Sequence, residues 1–249
     1  MKKLKNILAL FLFVSLLGAC SDDENVTNPT NDGLSFPMAQ GNTWTYDVYE
    51  LDENENMTDV KLGTNKLIIG EAVTIDGRSG FYYTEETTIS SEGEDEPNAT
   101  AMSSDENGLY IYFSSFTDDE ENPLIGITPG WTKVIDFKNQ TWESLNIPID
   151  ISDDGTTTEG SIKMTGSKVG AVNVTYKGKS YTAQRYKSTF AMNITITSPF
   201  GSFSIDGEDD SYYVIISGIG MFEVKSIEID EETEMKGGEV EILVDHTLN

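Results

Sequence analysis

From Phe36 onward the sequence predicts an all-β, antiparallel fold with little or no helix. Three observations carry that expectation. Apolar and polar residues alternate with a period of two and nowhere sustain the 3.6-residue period of an amphipathic helix. Asp76-Gly77 and Lys177-Gly178 each stand between two strand-like runs, supplying the positive φ that a two-residue hairpin turn demands. Acidic residues collect in 50–59, 85–96, 118–121, 153–159, 206–210 and 230–234, the ordinary division of a β protein into apolar strands and charged connections.

Taken in order, Trp44, Tyr46 and Val48 open the series on one strand face, and Leu109, Ile111 and Phe113 follow. Ile147, Ile149 and Ile151 make a third such run, and Val172, Val174 and Tyr176 a fourth. Phe190, Met192, Ile194 and Ile196 alternate with Thr189, Ala191, Asn193, Thr195 and Thr197, as in a strand with one buried side. The run 211–217 is apolar on both faces through Tyr212-Tyr213-Val214-Ile215-Ile216, which predicts a central strand covered on both sides. Between Phe222/Val224 and Ile227/Ile229 the apolar phase slips by one residue, predicting a β-bulge near Lys225-Ser226. Val240, Ile242 and Val244 close the series. The contexts Thr74–Ser79 and Thr175–Ser180 are similar. Two hairpins meeting one turn requirement account for that, with two related halves as the alternative.

Composition narrows the function classes. The 249 residues hold 16 Lys+Arg against 43 Asp+Glu, for a formal net charge of -27, with one Cys and one His. A surface this acidic repels phosphate backbones, which excludes nucleic acid as a partner. One Cys makes no internal disulfide and one His no multi-histidine metal site, so no metal or cofactor is expected.

The N-terminus reads as an address. Lys2, Lys3 and Lys5 precede the apolar run Ile7–Leu17, too short for the roughly 20 residues that span a bilayer and suited to a secretory signal. Residues 1–19 form that signal, 20–35 a Cys, an acidic tag and a flexible tether, and 36–249 one β domain. Fifteen tether residues have an r.m.s. span of roughly 20 Å. Removing 1–19 takes away three lysines and no acid, so the mature charge moves from -27 to -30, a body that anionic lipid repels.

Leu17-Gly18-Ala19-Cys20 resembles the lipobox of bacterial lipoproteins, which implies acylation of Cys20 and a hold on the outer membrane at about 0.8 kcal/mol per buried CH₂. Ser21-Asp22-Asp23-Glu24 resembles the surface-export signal of lipoproteins from the Bacteroidota, implying display on the cell exterior. Phe36-Pro37-Met38-Ala39-Gln40-Gly41-Asn42-Thr43-Trp44-Thr45-Tyr46 and the later Gly218-Ile219-Gly220 resemble two motifs of uncharacterised β-rich lipoproteins. Some of those are similar to the LolA/LolB-like half-barrels of lipoprotein carriers. The resemblance implies a strongly curved sheet, half-barrel or sandwich-like, and brings no catalytic residue. The carriers cover their sheet with helices, and no helical segment is legible here.

Candidates for chemistry are few. His246 stands three residues from the C-terminus, where packing to hold a general base is not expected. Paired carboxylates arise by chance among so many acids. Asp52-Glu53-Asn54-Glu55-Asn56 begins like a calcium loop, but Met57 replaces its glycine and Gly63 its closing glutamate. Aromatic residues remain: Trp131, Trp142, Tyr110 and Tyr112 are the candidate ligand platform, with both tyrosines on the face opposite Leu109 and expected to face solvent. The expected function is a non-enzymatic, lipid-anchored surface protein binding a glycan, peptide or partner protein. The alternatives are a carrier of an apolar molecule and, third, a glycan-active enzyme.

Overall fold

The computed structural model describes residues 34–88, 100–113, 130–153, 155–229 and 236–249. Every secondary-structure element among them is a strand: β1 (Thr43–Leu51), β2 (Met57–Ile75), β3 (Arg78–Thr87), β4 (Thr100–Asp105), β5 (Gly108–Phe113), β6 (Gly130–Asp136), β7 (Thr141–Asp153), β8 (Thr156–Tyr176), β9 (Lys179–Ser198), β10 (Gly201–Ile216), β11 (Gly220–Ile229) and β12 (Lys236–Thr247). They form one sheet in the order β6-β5-β4-β3-β2-β1-β12-β11-β10-β9-β8-β7, antiparallel throughout. Each strand pairs with its neighbour in sequence, except that β1 pairs with β12 and a seam separates β6 from β7. The sheet is thus all-β, curved and nearly closed, as the sequence predicts. The signal, the Cys20 lipobox and the export tag lie outside the described residues.

Curvature gives the sheet an inside. Trp44, Tyr46, Leu67, Ile69, Tyr83, Met102, Leu109, Ile135, Tyr186, Ile215, Phe222 and Leu243 belong to one buried cluster fed by strands from both sides of the β1–β12 junction. Trp44 and Tyr186 are fully enclosed. The strand containing Val214, Ile215 and Ile216 is buried on both faces, as expected for a central strand. A second small cluster of Leu51, Ile227 and Val240 covers the opposite face nearby.

That second cluster corrects two expectations. No bulge occurs at Lys225-Ser226, because β11 and β12 stay in register from Glu223↔Ile242 to Ile227↔Gly238. The phase slips because Val224 faces the main core while Ile227 faces the small cluster. The bulge of β11 lies instead where Val214↔Glu223 is followed by Ile215↔Met221. Likewise Val240 faces the small cluster while Leu243 faces the main core, and Val244, at the slip of β12 against Thr45/Tyr46, is exposed. A third correction concerns Asp206–Asp210, which lies inside β10 and not in a loop.

The two motifs from opposite ends of the domain meet in space. Trp44 Nε1–H donates to the carbonyl of Ile219 at 2.6 Å, and Tyr46 Oη–H to that of Met221 at 3.2 Å. Gly220 adopts φ +124, and a Cβ there would lie 2.6 Å from Trp44 Nε1. Phe36 packs on Trp44 with ring centroids 5.2 Å apart. Asn42 donates to the Pro37 carbonyl and accepts from the Asn249 N–H, which ties the C-terminus down. The other tryptophans repeat the device, with Trp131 lying over Gly80 and Trp142 over Gly166.

The strands β7 to β10 run on past the rest of the sheet as a four-stranded arm. One face carries Ile147, Ile149, Ile162, Met192, Ile194 and Ile196. The other carries hydroxyl and amide pairs such as Thr195–Ser204 and Thr197–Ser202. At its tip Phe200 is completely exposed.

Gly220→Ala is expected to cost about 1–3 kcal/mol, lowering Tm by several degrees. Gly207→Ala, which meets nothing within 4 Å, should leave Tm within about a degree, within the range of a ±0.5 kcal/mol surface change. Thermal unfolding of both variants checks this.

Candidate functional site

Three of the four sequence-predicted platform residues come together on the face of β3–β6 opposite Leu109. Register aligns Tyr82, Ala101, Tyr112 and Trp131 across four strands. Tyr112 meets Trp131 edge to face with centroids 5.5 Å apart. Tyr82 is 40% exposed, while Tyr112 and Trp131 are half-buried. Trp131 is held in place by donating Nε1–H to the Ile75 carbonyl at 2.8 Å.

Beside this row the Arg78 guanidinium sits 3.5 Å from the centroid of Tyr110 and binds Asp105 at 3.0 Å. Lys133 approaches Tyr110 from the other side and binds Asp136 at 2.7 Å. Tyr110 is therefore buried, against the expectation that it faces solvent. Its strand phase is as expected, but two cations close over the ring, an attraction of cation–π type. Partial burial would raise the Asp105 carboxyl, yet the Asn107 N–H and Arg78 hold it below its ordinary range. Burial likewise opposes ionisation of Asp136, and Lys133 with the Asn139 and Lys138 N–H groups brings it down to about 2. The result is a partly exposed aromatic row edged by ion pairs.

Trp142 is not part of the row. It stands on β7, packs against Tyr186 with centroids 6.1 Å apart and donates Nε1–H to Ser144 Oγ at 2.9 Å. Tyr82 completes the row and Arg78 flanks it, and both carry a signal in sequence: they share strand parity in β3, and Arg78 directly follows the Asp76-Gly77 turn.

Inside the sheet lies a second group, a pair of buried carboxyls on β3 and β12. Glu241 is 5% exposed, accepts from Asn65 Nδ2 at 3.0 Å, and among the described residues has no partner for Oε2. Burial, with Glu239 adding to it, pushes its carboxyl up to about 7 despite the Asn65 hydrogen bond. Glu85, on β3, rises to about 8 through burial and the nearby charge of Glu241. Glu85 reads as a loop acid in sequence because an acidic run follows it, while Glu241 shares parity with core Leu243. On the other face, burial raises Glu223 to about 7 although Arg185 lies 3.2 Å away.

The remaining candidates have local tasks. His246 is not on a frayed tail, since its Nδ1 lies 2.6 Å from Tyr176 Oη; burial, then Lys177, lowers its pKa. The Asp52 carboxylate accepts from the Asn54 and Asn56 N–H groups and so closes its own hairpin. Among the described residues no three His, Cys, Asp or Glu side chains are grouped as metal ligands.

No protein-family model matches the chain, and no curated protein does. Two solved structures are similar. One is a proposed lipoprotein from Parabacteroides distasonis, 12% identical, with a TM-score of 0.44 over 85% of this chain and 97% of that one. The other is a proposed exported protein with a YmcC-like fold from Bacteroides fragilis, 12% identical, with a TM-score of 0.40 over 85% of this chain and 98% of that one.

The buried acids set a pH dependence. A carboxyl whose folded pKa lies above its unfolded value keeps its proton longer when folded, so stability falls as pH rises from about 4.5 to about 8. Tm is expected to be higher at pH 5 than at pH 8. The Glu85→Gln/Glu241→Gln variant should shrink that difference by several degrees, whereas Glu86→Gln, at an exposed position, should not.

Proposed function

We propose that this chain is a non-catalytic binding module, anchored by acylated Cys20 on the outer membrane, displayed outward, and taking a glycan or peptide on the Tyr82–Tyr112–Trp131 row. The row is the observation that carries the reading: apolar ring faces on rigid strands, edged by polar groups, suit sugar rings and peptide side chains. The Cys20 lipobox and the Ser21-Asp22-Asp23-Glu24 tag support the location. Against the carrier alternative stands the concave side, filled by Trp44, Tyr46, Met102, Tyr186 and Ile215. Glu85 and Glu241 are the one observation favouring glycan hydrolysis. Glu241 is nonetheless buried and held by Asn65, which leaves its carboxyl no access to a substrate.

Binding to immobilised glycans and peptides tests the site. Trp131→Ala and Tyr112→Ala are each expected to weaken it about tenfold or more, with Trp142→Phe unchanged; a Trp131→Ala protein binding like the wild type would refute the platform. For the anchor, Cys20→Ala should move the protein from the membrane fraction to the soluble one.

A further inference from the structure

Three tyrosines of this chain hold cations on their rings. The Arg78 guanidinium lies 3.5 Å from the centroid of Tyr110, and Lys133 lies 5.7 Å from the same centroid. Lys177 stands over Tyr176 at 5.5 Å and Lys187 over Tyr212 at 5.9 Å. In each case the electron-rich ring face attracts the charge. The platform departs from that pattern. Apart from Lys2, Lys3 and Lys5, every Lys and Arg of the chain lies among the described residues, and none of these sits over Tyr82, Tyr112 or Trp131. Cations on the flanking strands are held by carboxylates, Lys66 by Glu86, Arg78 by Asp105 and Lys133 by Asp136.

Geometry makes the row a corner. Trp131 reaches from β6 as far as β3: its Nε1–H meets the Ile75 carbonyl and its ring end lies against Gly80. Gly80 stands two residues from Tyr82 on the same face of β3, about 7 Å along the strand. Tyr112 closes the other side, its ring meeting the indole at 65°. Rings set at that angle share no plane on which a run of sugars would stack. They suit a planar cation, which lies on one ring and turns its N–H edge toward the next ring and the phenol oxygens.

We infer that the row takes an arginine side chain of a basic peptide segment. The inference rests on the platform reading above and chooses peptide over glycan. Arginine is favoured over lysine because its flat guanidinium lies close against a ring, 3.5 Å at Tyr110 against 5.5–5.9 Å for the lysines. The formal net charge of -27 draws such a segment toward the chain. Paired with carboxylates, Lys66, Arg78 and Lys133 do not turn it away at the rim.

Charge alone would bind a basic peptide anywhere on so acidic a surface, so the test separates ring from field. The full chain in a neutral detergent is titrated by calorimetry with a short peptide alternating glycine and arginine, and with the same peptide carrying citrulline, the neutral isostere, for arginine. The arginine peptide is expected to bind about fivefold more tightly, and Trp131→Ala or Tyr82→Ala to remove most of that preference. Tyr82 is 40% exposed, so its variant is expected to keep the wild-type Tm and reports on binding alone. Equal binding of the two peptides, or a preference undiminished in Tyr82→Ala and Trp131→Ala, would overturn the inference. Cellohexaose is the neutral arm. Trp131-dependent binding of the hexasaccharide without binding of the arginine peptide would overturn the inference and leave the platform standing, and binding of neither would overturn both.

Discussion

The side chain of Trp44 lies where the first strand meets the last third of the chain, and the shape of the sheet depends on that contact. A twelve-stranded meander built only from neighbouring hairpins has two free ends; pairing β1 with β12 joins them and, among the described strands, leaves the seam between β6 and β7. That pairing links residues about two hundred positions apart, so its loop-closure entropy is the largest in the fold. Offsetting it are a fully buried indole, worth about 3–5 kcal/mol against alanine, and hydrogen bonds from Trp44 and Tyr46 to the Ile219 and Met221 carbonyls. Gly220 is required because its missing side chain is the space the indole occupies.

Closure also fixes where polar groups go. With β1 and β12 side by side, Glu241 is carried into the interior near Tyr46, and its charge raises Glu85. The same closure brings both ends of the described domain together, where the Asn249 N–H donates to Asn42 Oδ1. The aromatic row on β3–β6 lies on the face away from the core, so ligand contact there does not require the sheet to open.

Much of this is legible in the sequence, for definite reasons. Alternation in Phe190–Ile196 and the doubly apolar run 212–216 report burial on one face and on both, because side-chain period and strand geometry are the same quantity. The Asp76-Gly77 and Lys177-Gly178 turns are visible because positive φ selects residue type, and Asp76 and Lys177 do adopt it. Burial on both faces of β11 hides in the same alternation and imitates a bulge. Tyr110 is placed correctly on its strand, but its cover comes from Arg78 on a strand two away, which no local pattern contains. The partnership of Trp44 with Gly220 and of Glu85 with Glu241 depends on closure, and the sequence shows only two motifs far apart.

Native-state hydrogen exchange tests the closure account most directly. If the Trp44 contact joins the sheet into one cooperative unit, the amides of Tyr46, Leu243 and Val224 should exchange only through global unfolding and share one free energy of opening, while those near the arm tip exchange through smaller openings. Exchange of the β1 and β12 amides at a lower free energy than the β8–β9 core amides would contradict it, because the sheet would then open at the junction and remain folded elsewhere.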